Sequence, residues 1–151
     1  MHIFCKFDAL VPLDELIPNK LNANDHSEEQ IDSLCLLFET YGIRHPIICD
    51  EETKIMVVGH GRLLAAKQSK MEGFPVVYQK FATPAQRDQF AIADNGIALQ
   101  GELNFTLINK LIIDWGSELK LDTLAVKDLT LDRSERPEKK KKKCPGCGFE
   151  F

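Results

Sequence analysis

Hydrophobic residues recur along this chain with two periods. Ile31, Leu34, Cys35 and Phe38 fall at i, i+3, i+4 and i+7, the spacing of one helix face. Ser27 stands where an N-cap belongs, Gln30 is positioned to complete a capping box, and Gly42 to stop the helix. A second helix is predicted from the turn at Gly59–Gly61 to about Glu72, built on Leu63, Leu64, Ala65 and Ala66 and stopped by Gly73. Thr83, Pro84 and Gln86 open a third, with Phe90, Ala93 and Ile97 expected to face the core and Asn95-Gly96 expected to end it. A fourth runs from Leu103 to Gly116, capped by Asn104, with Phe105, Ile108, Leu111, Ile112 and Trp115 as its stripe. Runs of strand composition lie between: His2–Phe7, Ile47–Cys49, Ile55–Val58 and Phe74–Tyr78. Asp50 to Lys54 reads as a polar hairpin turn with its three acids at a solvated tip. This order of elements predicts a compact α/β (α+β) sheet.

The chemistry concentrates in Val57-Val58-Gly59-His60-Gly61-Arg62-Leu63-Leu64. Gly59 and Gly61 permit a tight turn and close approach to the backbone. The first amides of the following helix have no intrahelical acceptor and carry the positive end of its dipole, a setting that suits phosphate or carboxylate. Arg62 adds a planar cation and His60 a group that donates, accepts or titrates. The alternative is a bare strand-to-helix turn with Arg62 solvated, since the pattern is neither a P-loop nor a dinucleotide fingerprint.

Composition narrows the class. Hydrophobic residues make up 44% of the 151, enough for a packed core. No apolar run is long enough to span a membrane, and Met1–Asp8 lacks the pattern of a secretion signal. Cys5, Cys35 and Cys49 sit in apolar contexts and read as reduced core residues, which points to the cytoplasm. Residues 1–132 carry a net charge of −8 and residues 133–151 one of +4. An acidic body is a poor non-specific DNA binder, so any DNA contact falls to a local patch, the tail or a partner protein.

Four pieces, in order, resemble a known family: Asn22-Ala23-Asn24-Asp25-His26-Ser27-Glu28-Glu29-Gln30-Ile31, Tyr41-Gly42-Ile43-Arg44-His45-Pro46-Ile47, Val58-Gly59-His60-Gly61-Arg62-Leu63-Leu64-Ala65-Ala66 and Ala93-Asp94-Asn95. From about Val11 to Leu99 the chain is similar to the ParB/sulfiredoxin superfamily, in particular the ParB N-terminal-like domains of phage and prophage proteins found beside or fused to DNA methyltransferases. The resemblance implies a mixed sheet with flanking helices over 1–100, opened by a short strand and a segment across the ligand site at Leu10–Pro18; the apolar spacing after it predicts a helical extension over 101–132. It implies nucleotide phosphates around Gly59, His60, Gly61 and Arg62. Asn22, Asn24 and His26 match a segment that contributes to nucleotide binding, Arg44 precedes a strand near the ligand, and Asp94-Asn95 approaches it. The resemblance implies CTP or an adenine nucleotide (ATP or ADP) with Mg²⁺ as the ligand, and ParB itself hydrolyses CTP.

The chain also departs from the family. Asp25 and His26 stand where an arginine is frequent, and the glycine loop lacks the reactive cysteine of sulfiredoxin, so sulfinic-acid reduction is not expected. The region after Gly101 is too short and acidic for the helix-turn-helix of full-length ParB. Three functions stay open: a nucleotide-binding domain in a phage or prophage DNA process, with or without triphosphatase activity; a non-catalytic module recruiting a DNA methyltransferase or other DNA-modifying partner; and a ParB-like nuclease. No carboxylate identifies itself as a general base, Glu39 included. Residues 133–143 form a basic linker able to tether DNA. Residues 144–151 hold Cys144-Pro145-Gly146-Cys147, half of a zinc knuckle, which a second chain could complete in a homodimer.

Overall fold

The computed structural model describes residues 1–22, 24–115 and 125. Met1–Glu102 falls within one compact unit. Its four strands are β1 (Ala9–Pro12), β2 (Ile47–Asp50), β3 (Met56–Val58) and β4 (Gly73–Gln79), ordered β1-β4-β2-β3. β2 and β4 run parallel with Ile47 opposite Val76, and the other two pairs are antiparallel. A parallel pair needs a crossover, here β3 and the helix after it, α2 (His60–Gln68). Helix α1 (Glu28–Tyr41) precedes β2 and α3 (Pro84–Ala98) follows β4. This is the mixed α+β architecture expected from the sequence. No helix among the described residues is long and apolar enough to cross a membrane.

The core lies where α1 and α2 meet the sheet. Ile47, Met56, Phe74 and Val76 are fully enclosed, as are Ala65 and Ala66 of α2, and Ile31 and Phe38 of α1 and Leu63 of α2 are buried with them. The rings of Phe38 and Phe74 lie 5.5 Å apart and tilted by 52°, an arrangement their quadrupoles favour. Small side chains on α2 let the helices approach, and the Cys35 Sγ–H reaches the Ala65 carbonyl at 3.5 Å.

Two cap assignments hold at atomic detail. Ser27 Oγ accepts from Gln30 N–H at 3.2 Å, and Thr83 Oγ1 from Gln86 N–H at 3.1 Å. Each box closes differently from the expected form: the Gln30 side chain bonds His26 Nδ1, and Gln86 Oε1 accepts from Ala82 N–H. Gly42 ends α1 with φ +68° and ψ −172°, and a Cβ there would stand 2.5 Å from the His2 carbonyl oxygen. Gly42→Ala is therefore expected to cost about 2 kcal/mol, from an essentially glycine-only conformation and the displaced N-terminal segment. Urea denaturation checks this; an unchanged midpoint would mean the segment moves aside freely.

Other expectations are corrected. His2–Phe7 forms no strand. Only Ile3 bridges to Ile43, through Phe4 N–H to the Ile43 carbonyl and Ile43 N–H to the His2 carbonyl, and regular pairing begins at Ala9. Helix α2 stops at Gln68, short of Glu72. Lys70 takes the left-handed conformation (φ +53°), with Met71 N–H bonded to the Ala66 carbonyl, a Schellman closure made without glycine. Gly73 instead begins β4.

Helix α3 passes through Asn95-Gly96 to Ala98 rather than ending there, and the Asn95 side-chain amide donates to the Ala91 carbonyl within the helix. Its inward positions are Arg87, Ala91 and Asn95, while Ala93 is exposed and Phe90 and Ile97 are 39% and 68% exposed. Polar neighbours, described below, claim the buried side. Asp50 is likewise buried rather than at a solvated tip.

A second unit begins at Leu103, and its described part is α4 (Phe105–Trp115). Asn104 Oδ1 accepts from Leu107 N–H at 3.1 Å, as its expected capping role requires. The expected elements beyond Gly116, the basic linker 133–143 and Cys144 and Cys147 lie outside the described residues.

Candidate functional site

The start of α2 has no side-chain cap. Gly59 takes the N-cap position at φ +108°, which glycine adopts without strain, and offers no side chain to cap the first amides. Next to it lies a cavity of about 170 Å³. His60, Asn19, Asn22, Asn24, Asn95 and Asp88 supply its polar wall. Val57 and Ile92 are among the apolar residues that line the rest. Pockets enclosing a drug-sized ligand measure roughly 300–1,000 Å³, so this one takes a single ring system and leaves the remainder of a larger ligand outside.

Three sequence segments meet at the polar wall. The turn after Pro18 carries Asn19, whose backbone N–H donates to His60 Nε2 at 3.1 Å. Accepting there leaves the proton of the neutral ring on Nδ1. Burial, and then the nearby His26, hold His60 below the usual histidine pKa, so the neutral ring is favoured at pH 7. The Asn19 side-chain amide donates to Asp88 Oδ1 at 3.0 Å, joining α2 to α3. Asn22 Nδ2–H donates to the Asn24 carbonyl at 2.9 Å, and both residues line the cavity.

Behind this wall is a buried ionic cluster. Arg87 Nε donates to Asp88 Oδ1 at 3.0 Å, and its Nη2 lies 3.0 Å from the same oxygen. On its other side, Arg87 Nη1 stands 3.7 Å from Asp50 Oδ2. Asp50 also accepts from the Thr53 hydroxyl at 2.6 Å. These contacts explain the inverted face of α3: a buried guanidinium must be paired, and its partners are the buried Asp50 and the half-buried Asp88.

The expected phosphate residues divide. Gly59 and Gly61 shape the turn. A Cβ on Gly61 would come within 3.1 Å of the His26 ring, so glycine lets that ring lie against the first turn of α2. Arg62 does not line the cavity. It is half-buried, with Nη1 donating to the Pro46 carbonyl at 3.1 Å. Its Nε and Nη2 have no hydrogen-bond partner among the described residues. Burial lowers its pKa, opposed by the negative charge of Asp94.

Asn22, Asn24 and His60 do reach the cavity. Arg44 does not: its Nε donates to the Tyr41 carbonyl, and its guanidinium stacks 4.1 Å over the Phe4 ring on the exposed surface. Asn19 and Asp88 carry no motif that marks them in the sequence. Their only local signal is position, Asn19 just after Pro18 and Asp88 in the first turns of a capped helix. Among the described residues no group of three or more His, Cys, Asp or Glu converges to hold a metal ion.

No protein-family model matches the chain. It is 37% identical over 78 residues to the ParB-like nuclease domain-containing protein YnaK of Escherichia coli K12, covering 52% of this chain and 88% of that protein. Its fold is similar to the C-terminally truncated chromosome-partitioning protein ParB of Caulobacter crescentus complexed with CTP-gamma-S. There the TM-score is 0.61 at 18% identity, over 78% of this chain and 68% of that one. The same ParB complexed to the centromeric parS site gives a TM-score of 0.50 at 17% identity, over 71% and 57% of the two chains.

Proposed function

We propose that this chain, which belongs to the ParB superfamily, binds a nucleotide, with its nucleoside in the asparagine-lined cavity and its phosphates at the uncapped start of α2. One observation carries the reading. The cavity wall ends at His60, the first residue of an uncapped helix, and a half-buried cation with unused donors, Arg62, sits in the same turn. An amino-terminal helix end and a guanidinium are complementary to phosphate. Desolvation destabilises the Arg62 cation, and a bound anion relieves that cost. The cavity suits a nucleoside on its own terms: amides offer donors and acceptors for ring edges or ribose hydroxyls, and Val57 and Ile92 offer apolar walls. The CTP-gamma-S in the similar ParB makes CTP the first nucleotide to test.

In this reading Mg²⁺ arrives with the phosphates, since that ion is commonly held by one or two carboxylates, phosphate oxygens and retained waters rather than by an all-protein cage. The domain acts in a DNA-related process, with DNA reached through the basic stretch Lys139–Lys143 or a partner protein. A phage or prophage setting and a methyltransferase partner belong to the same proposal. No residue is assigned as a catalyst.

The test is calorimetric titration of the protein with CTP, UTP, ATP, ADP and GTP in Mg²⁺. Saturable binding of one nucleotide is expected, and phosphate release measured with and without DNA then separates a switch from a static module. Absence of binding to any of them by the folded protein overturns the proposal.

A further inference from the structure

Resting on that reading, we infer that Asp88 selects the nucleoside, its Oδ2 accepting a hydrogen bond from an N–H or O–H of the base or ribose. Among the described residues, Asp88 is the one carboxylate or other permanently charged group lining the cavity. Its two oxygens are in different situations. Oδ1 receives Asn19 Nδ2–H, Arg87 Nε–H and Arg87 Nη2, each at 3.0 Å. Oδ2 has no partner among the described residues, and the side chain is 25% exposed. Three donors on Oδ1 fix the carboxylate plane, so Oδ2 is held rigidly, with its acceptor capacity unused, on a residue that lines the cavity.

A preorganised carboxylate oxygen discriminates between ligands by chemistry. It attracts a donor such as the exocyclic amine of cytosine or adenine, or a ribose hydroxyl. It repels the carbonyl that replaces the amine in uracil or hypoxanthine. A site built to bond a donor rejects an analogue lacking it strongly, because the protein group is left unpaired. With Oδ2 partly solvated, the expected preference is about tenfold or more.

Asp88→Asn makes the inference sharper. Arg87 and Asn19 both donate, so they retain the amide oxygen in the Oδ1 position and force the NH₂ to the Oδ2 position. The selecting group then changes from acceptor to donor. Affinities are measured for the pairs CTP/UTP and ATP/ITP, and for each ribonucleotide against its 2′-deoxy form, on the wild type and on Asp88→Asn, with thermal melting as a control for folding.

For a base amine, the wild type is expected to favour CTP over UTP or ATP over ITP, and the variant to abolish or reverse that order. For a ribose hydroxyl, the ribo/deoxy preference is expected to collapse instead. A wild type that binds nucleotide with no preference within any pair overturns the inference without recourse to the variant. So does a folded variant that keeps the wild-type preferences. A wild type that binds no nucleotide overturns the parent proposal and this inference together.

Discussion

Arg87→Met is expected to lower the stability of the domain by about 3 kcal/mol, read as a reduced urea midpoint with an unchanged slope. Arg87 is 7% exposed and Asp50 6% exposed, so neither can turn to water when its partner is lost. Breaking a buried pair by removing one member typically costs ~3–5 kcal/mol. The lower value applies because Asp50 keeps the Thr53 hydroxyl at 2.6 Å and Glu52 N–H at 3.3 Å. Asp88 loses its cation in the same step. Adding Asp50→Asn to Arg87→Met is expected to recover part of the loss, since it removes the stranded charge. A loss below about 1 kcal/mol would place the cluster among screened surface pairs.

The same cluster sets a pH dependence. The Thr53 hydroxyl is the largest influence holding the Asp50 carboxyl below 3.8, desolvation opposes it, and Arg87 adds a smaller depression. A depressed carboxylate contributes stability above its unfolded pKa and loses it as pH falls through the folded one. The wild type should therefore lose stability progressively below about pH 4. Arg87→Met should flatten that loss in part, because Thr53 remains.

What the sequence reveals about this fold depends on how far apart the interacting residues are. Ser27, Gly42, Thr83 and Asn104 act within one helical turn, and their roles are legible from neighbours alone. The burial of Asp50 depends on Arg87, 37 positions away, so a local reading of Asp50-Glu51-Glu52 sees only a polar turn. Helix α3 is misread for the same reason. Its apolar spacing through Phe90, Ala93 and Ile97 is genuine, but the buried side is claimed by Arg87 and Asn95, whose partners and cavity lie elsewhere.

The site divides along the same line. The glycine turn is local and visible, whereas Asn19 joins His60 and Asp88 across 41 and 69 positions. Arg44 shows the converse: a cation before a strand looks available, yet Phe4 and the Tyr41 carbonyl occupy it.

Arg62→Gln is expected to weaken nucleotide binding by about 10–150-fold, and Arg62→Glu to abolish it at any practical concentration. A hydrogen bond to a charged group contributes ~1.5–3 kcal/mol, which converts to that range. Glutamine removes the positive charge and, being two atoms shorter, also gives up the bond to the Pro46 carbonyl, so thermal melting of the variant accompanies the titration. Glutamate instead places a like charge beside the phosphates and near Asp94. Salt provides a second readout: raising ionic strength should weaken wild-type binding more than that of Arg62→Gln, because the screened attraction has been removed from the variant. Wild-type affinity in a folded Arg62→Gln protein would leave Arg62 as a strut between Gly59 and Pro46, and would move the phosphates onto the amides of α2 alone.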